Sequence, residues 1–217
     1  MRVYHFVCQR FGLESLEQRR LKIARIAELN DPFEWMARAE NERERTALRE
    51  MKEEQNKKSG LLCFSKSWES PVLWSHYADR HRGVCLAFEV PDALIKEVDY
   101  RKSPLRFERH RFLADSRFAQ EFSDQLVSTK YQDWQYEREI RLFVKLDPKA
   151  EIDGRYFCDF SNDLRLAEVI VGVESLMNRQ AILTALGEIS VDVKIRKARL
   201  AFKSFRIIEQ RNSPVWG

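Results

Sequence analysis

Residues 60–90 read GLLCFSKSWESPVLWSHYADRHRGVCLAFEV, and the alternation of apolar runs and turn residues in this stretch decides the fold. Residues 61–64, LLCF, follow Gly60 as a short apolar run. A second run, GVCLAFEV at 83–90, is closed by Pro91. Both have the length of buried strands rather than of helices. Between them Ser70-Pro71 starts a helix, serine at the N-cap and proline at the first helical position, where its missing N–H costs nothing. The stretch therefore reads strand, loop, helix, strand, and the short helix carries Trp74, Ser75, His76 and Tyr77.

Working outward, residues 3–8 (VYHFVC) form a first strand, with Val3, His5 and Val7 on one face and Tyr4, Phe6 and Cys8 on the other. His5 shares its face with small apolar residues, so it is either a satisfied core group or a donor-acceptor aimed at a ligand. Apolar residues spaced through 13–29 suggest an amphipathic helix. In LNDPFEW at 29–35, Asn30 and Asp31 before Pro32 make a turn and a helix entry. Residues 37–58 carry interleaved charges of both signs and read as a solvated helix or an excursion beside the site. DALIKEV after Pro91 reads as a short helix, and Phe118, Phe122 and Leu126 give 107–128 the spacing of one long helix.

In YQDWQYEREIRLFVKL at 131–146, Ile140, Leu142 and Val144 alternate with polar neighbours, so 139–146 is a strand entered from a polar loop. Glu137 and Glu139 stand at its mouth. Two carboxylates on one face raise each other's pKa, so either a ligand uses them or Arg138 and Arg141 neutralise them. Strands at 167–173, 191–202 and 205–208 and a helix at 176–187 complete the chain. Without a linker or repeat, 1–217 reads as a single domain with a charged helical excursion at about 37–58. The class is α+β, a split, mostly antiparallel sheet flanked by helices.

Of the 217 residues, 44% are apolar, with five Trp and fourteen Phe, enough for a sizeable core. No run approaches the ~18 apolar residues of a membrane span, and Met-Arg-Val-Tyr-His has no signal-peptide pattern, so a cytoplasmic location without a membrane partner is expected. The four cysteines are far apart, which gives neither a zinc site nor a disulfide framework, and no metal is expected. The net charge of +4 is concentrated at 101–117 and 194–206. These clusters are solvated basic faces or phosphate contacts.

Two resemblances add chemistry. LCF at 62–64, SKS at 65–67, HY at 76–77 and GVCLAFEV at 83–90 resemble the central segment of the ADP-ribosyltransferases of the poly-ADP-ribose polymerase type. That resemblance implies an ADP-ribosyltransferase-like fold and NAD as cofactor and substrate. It implies NAD-binding roles for Tyr4, His5, Phe64, Ser65, Ser67, Ser75, His76 and Tyr77, with His76 and Tyr77 both standing where the ring that stacks on nicotinamide belongs. Glu137-Arg138-Glu139 resembles the Glu-x-Glu motif in which the second carboxylate is catalytic and the first orients the acceptor. LNDPFE at 29–34, LWSHYADRHRGVCLAF at 73–88 and YEREIRLF at 136–143 resemble an uncharacterised bacterial family, domain of unknown function 2971. This second resemblance marks Asn30, Asp31 and Glu34, with Trp74 and Arg141, as substrate-side or structural residues.

Breaking the nicotinamide–ribose bond passes through an oxocarbenium-like state, as in glycoside cleavage. It needs an aromatic surface, a group that fixes the ribose, and a carboxylate facing the developing charge. Tyr77, His5 and Glu139 supply these in the expected order. The resemblance further implies a toxin or phage-defence effector, acting on nucleic acid or protein, with an antitoxin as partner. Two rivals come from other classes: a non-catalytic nucleic-acid or protein-binding module using the basic clusters with Trp68, Trp74 and Trp134, and a metal-dependent nuclease using Asp31, Glu34, Glu137 and Glu139. A cysteine nucleophile at Cys63 or Cys85 is a weaker alternative.

Overall fold

The computed structural model describes residues 1–212 and 216. The chain runs β1 (Arg2–Val7), α1 (Gln9–Gln18), β2 (Arg20–Arg25), β3 (Ala37–Arg38), α2 (Glu42–Lys58), β4 (Ser59–Ser65), α3 (Pro71–Tyr77) and β5 (Val84–Glu89). There follow β6 (Ile95–Glu97), β7 (Asp99–Arg101), β8 (Leu105–Arg106), α4 (Arg109–Ala114), α5 (Ser116–Leu126), β9 (Thr129–Tyr131) and β10 (Glu139–Lys145). The last elements are β11 (Tyr156–Asp159), β12 (Arg165–Val171), α6 (Arg179–Leu186), β13 (Lys194–Leu200) and β14 (Ile207–Glu209). This is a mixed α/β protein with a mostly antiparallel open sheet. It divides into two compact units, one of residues 1–22, 64–95 and 157–217, the other of 23–63 and 96–156.

In the first unit the strand order is β1-β5-β12-β13-β14, antiparallel except for the parallel β12–β13 pair. The central strand, β5, is buried from Val84 to Phe88, the continuous apolar run of a strand covered on both faces. Its ladder with β1 runs from Arg2 opposite Glu89 to Val7 opposite Val84. The end of β4 reaches the other side of β1, pairing Ser65 with Tyr4. Trp74 on α3 is the anchor on one face, wholly buried with Ala78, Cys85, Ile170, Ala198 and Ile207 and set edge-on to Phe6 at 5.3 Å. Ser70 takes the N-cap position, but its hydroxyl makes no cap hydrogen bond; Pro71 alone sets the start.

After α3 the chain makes a tight turn with positive φ at Asp79, Arg80 and His81. Gly83 ends it, donating its N–H to Ala78 O at 2.7 Å. A Cβ on Gly83 would lie 2.2 Å from the carbonyl oxygen of Val7, so only glycine lets the turn approach β1.

In the second unit β4 pairs with β2 through Ala24–Leu61 and Arg25–Gly60, and β10 pairs with β4 and β6. Two short parallel pairs, β3–β8 and β7–β9, complete the strands. Its core joins Ile26, Trp35, Leu48 and Leu61 to Phe107, Phe122 and Leu126. Helix α2 is capped by Asn41, whose side chain accepts from Glu44 N, with acidic residues in its first turn and Lys57 and Lys58 in its last, both favourable to the helix dipole. Leu48 is its one buried residue, and Lys52 donates to the carbonyl of Glu34 at 2.9 Å, tying the helix to the 31–36 turn.

Several elements differ from the sequence reading. Residues 13–29 are not one helix: Arg19 adopts the left-handed conformation and ends α1, and Leu21 and Ile23, both buried, alternate with exposed Lys22 in β2. Residues 29–35 start no α-helix; Asp31 Oδ1 accepts from Phe33 N at 2.9 Å and closes a turn. Residues 107–128 are two helices, because Asp115 caps a new one by accepting from the N–H groups of Arg117 and Phe118. DALIKEV gives a 3₁₀ turn over Asp92–Leu94 and then β6.

Candidate functional site

The residues that the sequence marks for NAD fall in the first unit. Tyr4 and His5 are half-buried on β1, and the His5 ring meets Phe64 edge-on at 5.9 Å. Phe64 and Ser65 are buried at the end of β4. Ser65 Oγ accepts from Ser67 N at 3.3 Å and Ser67 Oγ from Glu69 N at 3.2 Å, two serine turns that fold the SKSWE loop back on itself. On α3 Ser75 and His76 are exposed and Tyr77 is half-buried, with the His76 and Tyr77 rings edge-on at 6.0 Å. Trp74 is different: it is wholly buried and its indole N–H is spent on Trp68 O at 2.6 Å, so it packs the core.

The carboxylates fall in the second unit, where they form a buried ionic cluster. Lys130 on β9 points its ammonium at three of them: Glu137 Oε2 at 2.6 Å, Glu139 Oε2 at 3.1 Å and Glu34 Oε1 at 3.3 Å. Arg141 on β10 grips Glu139 from the other side, Nε to Oε1 at 2.8 Å and Nη2 to Oε2 at 3.1 Å. Its Nη2 also donates to Glu34 and its Nη1 to the carbonyl of Val127 at 2.7 Å. All five side chains are 2–5% exposed.

Local backbone explains the convergence. A 3₁₀ segment covers Gln132–Glu137, and Arg138 then takes a left-handed conformation with φ 48°. That reversal lets Glu137, before it, and Glu139, the first residue of β10, both reach Lys130. Asp31's turn presents Glu34 inward while Phe33 is left outside. Tyr100 on β7 completes the cluster, its hydroxyl oxygen accepting from Glu139 N at 2.8 Å.

Three carboxylates against two cations leave one negative charge uncompensated in a region nearly closed to water. Burial pushes the Glu34 carboxyl above its ordinary value, more than Arg141 and Lys130 pull it down. Glu139 is the reverse case: burial opposes its charge, but the Arg141 guanidinium, the Lys130 ammonium and the Cys63 thiol together hold it below the usual carboxylate range. Lys130 and Arg141 lose hydration, yet their glutamates more than offset this and raise both. Burial pushes the Tyr100 phenol up to about 12, with the negative charge of Glu139 adding to it.

Cys63 donates to Glu139, and burial together with that carboxylate raises its thiol well above the ordinary value. Burial raises Cys85 in the same way. Neither is set up as a thiolate nucleophile. The glutamates close on cations rather than on an open cavity, and no group of three or more His, Cys, Asp or Glu among the described residues is disposed to hold a metal ion. Asn30 lies exposed beside this cluster in sequence, and buried Asp31 spends one carboxylate oxygen on its own turn.

Two participants were not legible in the sequence, Lys130 and Tyr100. Arg138, taken there as a neutraliser, is exposed, and the neutralising lysine is Lys130. Its only sequence signal is a lone lysine inside a short apolar-polar alternation.

Residues 73–142, from Leu73 in α3 to Leu142 in β10, match the family model described as "Protein of unknown function (DUF2971)". The likeness covers about a third of the chain. No curated protein and no solved structure is significantly similar. No helix among the described residues is long and apolar enough to cross a membrane.

Proposed function

We propose that the protein is an NAD-dependent ADP-ribosyltransferase or NAD glycohydrolase with an ADP-ribosyltransferase-like fold. One observation supports this most directly. The first strand and the Ser-rich turn, distant in sequence, are neighbours: Tyr4 pairs with Ser65, and His5 stands against Phe64. Both segments are ones to which the resemblance assigns NAD-binding residues. In this reading His5 hydrogen-bonds the ribose diol, Tyr77 or His76 stacks on nicotinamide, and Glu139, held below the usual carboxylate range, is the carboxylate that the oxocarbenium-like state calls for. Glu137 orients the acceptor, which the basic balance of the chain favours as nucleic acid over protein. The resemblance points further to a toxin or phage-defence role.

A second reading rests on a specific observation. Both oxygens of Glu139 are engaged, by Arg141 and Lys130, and the side chain is 5% exposed. In that reading the cluster is a structural clasp of the second unit, and the protein binds without catalysing. Calorimetric titration of NAD separates the two on the binding side. The transferase reading expects saturable binding that weakens about tenfold or more in Tyr77→Ala and His5→Ala, the loss of about one well-placed contact each. Absence of NAD binding in the folded wild type sinks it.

A further inference from the structure

The second unit carries a cleft of about 280 Å³ that none of the roles above uses. It is lined by exposed apolar side chains, Phe33, Met36 and Tyr131, 63%, 47% and 44% exposed, gathered at one place. Single exposed apolar residues are ordinary, but three at one concavity mark a contact surface. The rest of the wall includes Arg101, Lys102 and Lys130, and no Asp or Glu is among the lining residues. The ammonium of Lys130 is already held by its three glutamates, so Lys102 and Arg101, the latter bridged through Nε to the exposed Asp99 at 2.7 Å, are the cations that face a ligand.

The strand register explains why these groups meet. On the parallel β7–β9 pair Tyr100 stands opposite Lys130 and Arg101 opposite Tyr131. Successive residues of a strand point to opposite faces, so Tyr100 and Lys130 serve the buried cluster while Arg101 and Tyr131, both exposed, lie side by side on the other face. The 31–36 turn repeats the division, Glu34 buried and Phe33 and Met36 exposed.

We propose that this cleft binds a planar aromatic ring bearing one anionic group, of the size of a nucleoside monophosphate. Phe33 and Tyr131 supply stacking faces and Met36 a polarisable thioether. Arg101 and Lys102 take the anion. The volume lies just below the roughly 300–1,000 Å³ of small-molecule pockets, which suits a mononucleotide and not a dinucleotide. The proposal does not rest on the NAD reading, since none of these five residues has a role in it.

The test is calorimetric titration of the intact protein with AMP, adenosine and inorganic phosphate. AMP is expected to bind saturably, with adenosine and phosphate each weaker because each lacks one half of the recognised group. Phe33→Ala and Lys102→Ala, both at exposed side chains and checked for an unchanged melting temperature, are expected to weaken AMP about five- to a hundredfold, the range for loss of one base stack or charge contact. Phe202→Ala, at an exposed residue of the first unit that does not line the cleft, is expected to leave it unchanged. Absence of saturable AMP binding overturns the proposal, as does AMP binding that is no tighter than phosphate alone or that persists unchanged in both cleft variants. If NAD binding is lost in Tyr77→Ala while AMP binding is kept, the two sites are separate.

Discussion

Tyr100 and Lys130 are register partners on neighbouring parallel strands, and both deliver their side chains to Glu139. One accepts the backbone N–H of that residue at 2.8 Å and the other donates to its carboxylate at 3.1 Å. The first residue of β10 is thereby held by backbone and by charge at once. The energetics of the second unit follow from that arrangement.

Arg141→Met leaves Glu34 and Glu139 buried with only Lys130 between them. Removing one partner of a buried ion pair typically costs about 3–5 kcal/mol, because the charge left behind has lost its water and its counter-ion. Urea denaturation is expected to show a loss of that order, with Arg141→Lys intermediate because an ammonium cannot reproduce the two-pronged grip on Glu139. A loss below about 1 kcal/mol in Arg141→Met would show that the cluster does not stabilise the unit.

Tyr100→Phe removes the acceptor of a backbone N–H in a nearly dry setting, at a cost of about 1–3 kcal/mol. Alkaline spectrophotometric titration offers a second check. The wild type is expected to show a phenol ionising at about 12 that is missing from the variant. Because the folded value is raised, this phenol's contribution to stability is full below the ordinary value of 10 and is lost as pH rises through about 12.

On the acid side the sign reverses for Glu139. Its folded pKa is lowered, so the stability it contributes is present above its ordinary value of 4.5 and is lost as pH falls through the folded value. Glu34, raised by burial, works in the opposite direction, its contribution declining as pH rises through its folded value. The stability gap between wild type and Glu139→Gln is therefore expected to be largest near neutrality and to shrink below pH 4.5, measured by denaturation midpoints across pH. A gap that widens toward acid would contradict the assignment of Glu139 as the ionised member.

Gly83→Ala forces a Cβ to within 2.2 Å of Val7 O. Neither backbone can yield without opening the turn after α3 or the β1–β5 ladder. The expected loss is more than about 3 kcal/mol, at the high end for a single substitution. Thermal unfolding measures it, and a melting temperature within a degree or two of wild type would show that β1 shifts freely.

Much of the strand framework was legible because buried strands carry their own signal. LLCF, GVCLAFEV and EIRLFVK are apolar or alternating runs with turn residues at their ends, and they became β4, β5 and β10. Residues 13–29 were misread because Leu16, Ile23, Ile26 and Ala27 recur at helical spacing, while the alternation of Leu21 with Ile23, which marks a strand, was passed over; the left-handed turn at Arg19 separates the two elements. The carboxylates at 137 and 139 were legible as a pair that needs a partner. The identity of the partner was not. Glu34 lies 107 residues from Arg141, and no local spacing announces a contact that the fold alone creates. The inward turn of Lys130 depends in the same way on the β7–β9 register.

The most direct test of the proposed activity is release of nicotinamide from NAD by wild type and Glu139→Gln, with folding of both confirmed by circular dichroism at the assay temperature. Turnover by the wild type is expected, with a fall of at least about a hundredfold in the variant, the loss that follows when a transition-state charge partner is removed. A folded wild type that neither binds nor cleaves NAD, or a folded Glu139→Gln that cleaves it at the wild-type rate, would contradict the proposed activity and leave the buried glutamates as a structural clasp.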